Sequence, residues 1–399
     1  MLISRLANWQ ILKSILYPMK KAVLFCVVLC FSLQAKSQDS IVSHNNLDFY
    51  FRGGFLREWY NGAPSSHFQL DEARLHFYGN YNESLSYHIR FRLNKPFTAT
   101  SLDNGTLALD FAFLSYRFGA SKRWEVSLGK LYAMVGSYEL DIHPLYEFVY
   151  ADHLGYVVSP FIAGMRLAVS LTDTQNIGLQ LHNTLNNTFE KHLQNNSFST
   201  ASFSASKTPI GAYAYWQGKF AKGKLNTHYS YNISQFANKY YSHSIALGHQ
   251  YKSDKHNAYL DLMYAKMGAD YPLLGSKIIS DYEGLTAGNY LMREDITYKG
   301  IVGRYEYLFT DCWSMALKAG AESVASGKTP QGDLRYNYIY SLAALYAPIP
   351  TQNLHFYVAY AGNTIRYPSE ISTEKTQYHS VSVGAYYSLP LLKNKTFRN

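Results

Sequence analysis

In the stretch LSYHIRFRL (85–93) apolar and polar residues alternate without a break. Leu85, Tyr87, Ile89, Phe91 and Leu93 share one phase, and Ser86, His88, Arg90 and Arg92 share the other. A period of two marks a strand with unlike faces, because successive side chains leave a pleated backbone on opposite sides. The alternation recurs along the chain. HFQLDEARLHFY (67–78) sets Ala73, Leu75 and Phe77 against Arg74 and His76, and WSMALKAG (313–320) sets Trp313, Met315, Leu317 and Ala319 against Ser314, Ala316, Lys318 and Gly320. Read this way, the sequence predicts sixteen strands, at 47–58, 67–78, 84–93, 107–118, 123–132, 161–171, 176–185, 209–217, 223–233, 241–251, 256–265, 298–308, 312–322, 336–346, 353–363 and 377–389. The phase of 107–118 (LALDFAFLSYRF) is not readable from alternation.

The connections carry as much information as the strands. Every second one is short and turn-rich (GNYNE, GASK, TDTQ, GKFAK, KSDK, PIPTQN), and those between them are longer, with 133–160, 186–208 and 266–297 the longest. Short turns at one end and long loops at the other are expected of an outer-membrane barrel with periplasmic turns and extracellular loops. The competing fold is a secreted β-sandwich or soluble barrel. Against it stand strands of about ten residues, where sandwich strands run about five or six. Aromatics also gather at strand ends (Tyr60, Phe68, Tyr78, Trp124, Trp216, Tyr251, Trp313, Tyr346), as at a lipid–water boundary. In lipid every backbone polar group must pair, so a spanning sheet closes on itself. The expected fold is therefore an all-β, transmembrane, antiparallel β-barrel of about sixteen strands in the outer membrane. Its greasy faces look outward, and Arg90 and Arg92 look into a lumen.

The N-terminus alters how composition is read. Lys20 and Lys21 precede the apolar run AVLFCVVLCFSL, and QAKS then supplies small residues for cleavage, so residues 1–37 read as a signal peptide with Met19 as an alternative start. Residues 38–46 then form an N-terminal extension and 47–399 the barrel. Residues 1–37 hold five cations (Arg5, Lys13, Lys20, Lys21, Lys36) and no acid. The 37 Lys and Arg against 28 Asp and Glu thus become 32 against 28, and net charge falls from +9 to +4. The basic excess is largely a targeting feature and does not argue for nucleic acid. Of three cysteines only Cys312 survives cleavage, so no intramolecular disulfide is available.

Residues 67–141 resemble the phosphate-selective porin O and P family of Gram-negative outer membranes. The matching stretches are FQLDEARLHFYGNYNESLSYHIRF, with Arg74, Gly79 and Phe91, then LDFAFLSYRFG and LGKLYAMVGSYELD. The resemblance implies a sixteen-stranded barrel, usually trimeric, lined with arginines and conducting anions. Two departures bear on phosphate selectivity more than on fold. Asp71 and Glu72 stand where the family tends to be basic, and Tyr132 and Met134 stand where it usually has a basic residue and a proline.

By phase, the lumen receives Arg74, His76, His88, Arg90, Arg92, Arg166, His228, Arg304 and Lys318 against Glu72, Asp261 and Glu306. Six permanent cations against three acids favour anions by direct attraction, focused by a low-dielectric wall. The alternative is a solvated face whose cations are paired with neighbouring acids. The long connection 133–160 is the candidate constriction loop, by analogy with porins. It carries Glu139, Asp141, His143, Glu147 and Asp152 but no Lys or Arg, so its acids are expected to face the arginine wall across the narrowest point. Otherwise it is an exposed acidic loop that binds divalent ions or lipopolysaccharide. The chain has no G-x-S-x-G, P-loop or H-E-x-x-H motif, and no catalytic residue, metal or cofactor is expected. The expected function is a passive outer-membrane porin for small hydrophilic solutes, with a mild preference for anions, phosphate being the one the resemblance implies. Its expected partners are outer-membrane lipid, lipopolysaccharide, small anionic or polar solutes and two further copies of itself. The competing function is a non-conducting barrel that acts as an adhesin or receptor through 186–208 and 266–297.

Overall fold

A computed structural model describes residues 42–398 apart from 143, 330, 331 and 373; the expected signal peptide and His143 lie outside the described residues. Sixteen strands form one closed sheet. They are β1 (Val42–Tyr60), β2 (Ala63–Asn80), β3 (Leu85–Arg92), β4 (Leu109–Phe118), β5 (Trp124–Tyr132), β6 (Phe161–Thr172), β7 (Gln175–Asn183), β8 (Ile210–Phe220), β9 (Leu225–Gln235), β10 (Tyr241–Lys252), β11 (His256–Ala269), β12 (Glu294–Leu308), β13 (Trp313–Ser326), β14 (Asp333–Tyr346), β15 (Leu354–Arg366) and β16 (Thr376–Arg398). Each pairs with its sequence neighbours and β16 returns to β1, so the sheet has no free edge. The outward phase is apolar and open, as Leu114, Leu128, Leu179, Leu317 and Val358 show, while the inward phase holds Arg74, Arg166, His228, Asp261, Arg304 and Lys318, all buried. Among the described residues no helix is long and apolar enough to span a membrane.

Two sequence expectations change. The first outward connection is not a long loop but the two-residue turn Asn61-Gly62, both at positive φ (48° and 87°). Left-handed backbone at both central residues is the hairpin turn for which Asn-Gly is selected, and it lets β1 and β2 pair up to Tyr60 and Ala63. Tyr78 does not join the aromatic girdle. It shares the phase of Arg74 and His76, donates to Asp48 Oδ2 at 3.1 Å and stacks on His76 with ring centres 4.5 Å apart, all on the inner face.

The long connections 184–209 and 270–293 fold onto each other around the barrel's outer end. Helix α2 (Phe189–Asn195), capped by the Thr188 hydroxyl, buries Phe189 and Leu193 one turn apart. Helix α3 (Leu274–Tyr282) buries Ile278 and Ile279. These side chains share an apolar cluster with Phe236, Tyr271 and Met292 and with Met267, Ile296 and Val324 of the wall. Each fully buried side chain of this kind contributes about 1.5–3 kcal/mol, so the loops are held by their own core.

The connection 93–108 takes another course. Its Leu102 and Asp103 amides donate to the Asn186 carbonyl, and Asp103 meets Lys130 at 3.3 Å, both side chains nearly inaccessible. Lys130 pairs across the sheet with Ala112 and Ala163, on the outward face. The loop thus straps down the outer wall and neutralises a cation that would otherwise meet lipid. Asp103→Asn is expected to cost roughly 2 kcal/mol, between the interfacial and midplane costs of an exposed lysine. Adding Lys130→Met should restore the loss, as read from urea unfolding in lipid vesicles.

Candidate functional site

The arginines of β2 and β3 meet a carboxylate that the alternation concealed. Leu109 pairs with Phe91 and Phe111 with Arg90, which leaves Asp110 as an extra residue on β4. This β-bulge breaks the phase of 107–118 and re-aims the side chain. Asp110 Oδ2 accepts from Arg74 Nη1 at 2.7 Å and from Arg90 Nε at 2.8 Å, while Oδ1 lies 2.7 Å from Arg92 Nε. Arg74 also grips Glu72 through Nε at 2.5 Å and Nη2 at 2.9 Å, and Arg90 lies 4.4 Å from the centre of the Phe111 ring. Planar guanidiniums with five donors permit this convergence on one carboxylate. Three cations against two acids leave the cluster with one net positive charge.

The connection 133–160 enters the lumen, held by wall groups remote in sequence. Asp261 of β11 accepts from the Ser137 hydroxyl at 2.8 Å and from the backbone N–H groups of Tyr138 and Glu139 at 3.0 and 2.8 Å, so it caps the short helix α1 (Tyr138–Asp141). Glu322 of β13 does the same for the turn at 153–157, accepting from the N–H groups of Asp152 and His153 at 2.7 and 2.9 Å. A carboxylate at the amino end of a helical turn satisfies otherwise orphaned donors and meets the positive end of its dipole. Arg52 Nη1 donates to the carbonyls of Pro144, Leu145 and Glu147. At Gly136 a Cβ would lie 2.4 Å from the Ala246 carbonyl oxygen and 2.5 Å from that of His228. The loop backbone is therefore pressed against the sheet at a point only glycine permits. Gly136→Ala is expected to lift this corner at a cost of about 1–3 kcal/mol, seen as new chymotrypsin cleavage within 133–160.

The loop's acids do not face Arg74, Arg90 and Arg92 as expected. Glu139 and Glu147 both accept from Lys318 Nζ, at 2.6 and 2.5 Å. Glu147 also accepts from the Tyr259 hydroxyl at 3.1 Å and lies 3.8 Å from Arg304. Asp152 pairs with Arg335 of β14 at 3.0 Å, and Asp141 with His228 of β9 at 3.0 Å. Among the described residues no ion pair joins a loop acid to the β2–β3 arginines. The physical reason is burial: Lys318 and Glu139 are each 1% exposed, and a charge so placed persists only with a partner in contact. Burial raises the Glu139 carboxyl and the facing Lys318 ammonium lowers it again. The His153 imidazole is pushed down to about 4 by burial and stays neutral.

Arg166 marks the inner end of the arginine side. Its Nη2 lies 3.3 Å from Glu125, which also holds Arg117 at 3.0 Å. With Lys122, Arg123 and Gln217 they line a polar cavity of about 350 Å³ beside the short turn 119–123. The structure thus brings Arg74, Arg90 and Arg92 together and places Arg166 below them. It assigns Arg304 and Lys318 to the loop. Several residues escaped the sequence reading. Asp110 is hidden by its bulge, and Arg52 by a register shift at Arg52/Gly53 that leaves Asp71 without a cross-strand partner, its carboxylate 3.4 Å from Arg52. Arg335 lies one residue outside the predicted strand, and Arg117, Lys122 and Arg123 lie at an unreadable phase or in a turn.

Comparison with the curated proteins finds no match. Among solved structures, the outer membrane channel DcaP of Acinetobacter baumannii aligns with a TM-score of 0.61 at 13% identity, over 89% of this chain and 99% of its own. An anion-selective porin from Comamonas acidovorans aligns at 0.57 and 12%, over 87% and 100%. OmpT of Vibrio cholerae aligns at 0.53 and 12%, over 89% and 100%. These likenesses share the barrel fold. The sequence profile of the phosphate-selective porin O and P family matches residues 56–388, and this chain, an outer-membrane β-barrel with the architecture of a channel, belongs to that family.

Proposed function

We propose that the protein is a passive channel for small hydrophilic anions, phosphate among them, working as a homotrimer. One observation carries the reading: the loop's acids are taken up by cations of β12–β14 and by His228 of β9, so they do not cancel the arginines of β2–β6. On that side, with Asp71 balanced by Arg52 of β1, Arg74, Arg90, Arg92, Arg117, Arg123 and Arg166 stand against Glu72, Asp110 and Glu125. A fixed positive excess beside a low-dielectric wall attracts anions and repels cations. Guanidinium nitrogens also suit tetrahedral oxyanions, in keeping with the family's description. The trimer form recorded for the Vibrio cholerae OmpT supports the oligomeric reading.

The test is the reversal potential of the reconstituted protein in planar bilayers across a potassium chloride gradient. The expected sign is that of chloride preference, with conductance steps in groups of three. A cation-selective reversal potential sinks the anion reading. The absence of steps in otherwise folded protein returns the barrel to the adhesin or receptor class, although the loops that class requires have their apolar residues turned into their own core.

A further inference from the structure

Toward the long-loop end, strand register sets six outward residues in one row across five neighbouring connections: Ile245, Tyr264, Lys299, Ser323, Tyr336 and Arg366. Ser323 is the smallest of them. One step nearer the membrane centre, Leu262 and Ile301 are followed by Ala321 and Tyr338. The two small residues on β13 open a depression of about 540 Å³ in the outer wall, floored by apolar side chains and rimmed by Lys299, Tyr264 and Tyr338.

The charges flanking this depression are available. Lys299 is exposed and, among the described residues, makes no ion pair. Arg366 is exposed too, with its guanidinium 6.0 Å from the centre of the Tyr338 ring. The neighbouring Lys266 is held by Asp295 at 2.6 Å, which cancels that acid, and Tyr336 donates to Asp333. Lys299 and Arg366 are three strands apart, about 14 Å at ordinary strand spacing. Side chains stand roughly perpendicular to a sheet, so a separate phosphate for each cation is the arrangement that bends neither side chain across the wall.

We propose that this depression binds the bis-phosphorylated, acylated disaccharide that anchors lipopolysaccharide in the outer leaflet. The ammonium and the guanidinium each take one phosphate, the Tyr338 hydroxyl on the intervening β14 meets the sugars between them, and the acyl chains lie on Leu262, Ile301 and Ala321. Aromatic belts and basic residues at the head-group level are the general means by which a membrane wall recognises charged lipid. What is specific here is the spacing, which selects two phosphates held apart by a rigid spacer over a glycerophospholipid with one.

The test is native mass spectrometry of the full-length protein in detergent. The probes are bis-phosphorylated lipid A, its mono-phosphorylated and dephosphorylated forms, and phosphatidylglycerol. Lipid A is expected to bind at least tenfold tighter than the other three. The K299Q/R366Q protein should lose that margin, bind phosphatidylglycerol unchanged and keep wild-type conductance. Ser323→Trp, which fills the depression, should lose lipid A with all charges present. Equal binding of the mono- and bis-phosphorylated forms to the wild type overturns the proposal, and this comparison stands even if neither variant folds. Wild-type lipid A affinity in a conducting K299Q/R366Q protein overturns it as well.

Discussion

Lys318→Met is expected to release the 133–160 loop from the wall while leaving the barrel closed. The ammonium of Lys318 holds Glu139 and Glu147 at 2.6 and 2.5 Å and donates to the Val149 carbonyl at 2.7 Å. Removing it leaves two carboxylates, each 1% exposed, facing each other with Arg304, 3.8 Å from Glu147, as the nearest cation. Breaking one side of a buried ion pair costs about 3–5 kcal/mol. The loop's other anchors are the Asp152–Arg335 and Asp141–His228 pairs and hydrogen bonds worth about 0.5–1.5 kcal/mol each, somewhat more where a charge takes part, so the loss is comparable to several of those bonds. The sheet itself does not use Lys318, whose backbone pairs with Arg304 and Ser341 remain. The expected result is larger and noisier unitary conductance, with chymotrypsin cleavage inside 133–160 and none in the strands. The triple variant Lys318→Met, Glu139→Gln, Glu147→Gln removes the uncompensated charge and should recover most of the wild-type protection. If the single variant keeps both its conductance and its protease resistance, the loop is not held by this ion triad.

The fold was legible because each strand repeats one local signal. Alternation places all sixteen, and phase alone turns Arg74, Arg90, Arg92, Arg166, Arg304 and Lys318 inward. What that signal cannot convey is which inward group meets which. Ser137 and Asp261 are 124 positions apart, and Lys318 and Glu139 are 179 apart. Their contacts arise only once the sheet closes and the loop is laid inside it. Hence a loop of four acids and no cation read as a counter-wall to the arginines, when burial sends those acids to the nearest cations on the other side. The alternation also fails wherever a strand gains a residue: a bulge shifts every later side chain to the opposite face. That is why Asp110, the common partner of three arginines, fell in the one segment without a readable phase. The Asn61-Gly62 turn is different, since its dipeptide is a local hairpin signal that the expectation of long outer loops overrode.

The arginine cluster yields the second large effect. Replacing Arg74, Arg90 and Arg92 together by glutamine leaves Asp110 and Glu72 in place, so a group with one net positive charge becomes one with two negative. Arg117, Arg123 and Arg166 against Glu125 still add two positive charges on this side, so the reversal potential should fall to near zero, with the anion-to-cation permeability ratio dropping severalfold at low salt and less at 1 M, where charges are screened beyond about 3 Å. Asp110 is inaccessible on its bulge, and without three donors it is a buried, unpaired carboxylate whose cost would disturb β4. The companion variant that adds Asp110→Asn and Glu72→Gln removes that cost and makes the cluster neutral. It should keep a reduced anion preference, set by Arg117, Arg123 and Arg166 and lying between the wild type and the triple variant. This ordering separates a field effect from simple damage: loss of folding would lower conductance in both variants, whereas fixed charge moves the reversal potential in proportion to the cluster's net value. If all three proteins give the same reversal potential, the permeating ions do not pass within reach of these guanidiniums. The anion preference would then have to come from Arg117, Arg123 and Arg166 at the inner mouth.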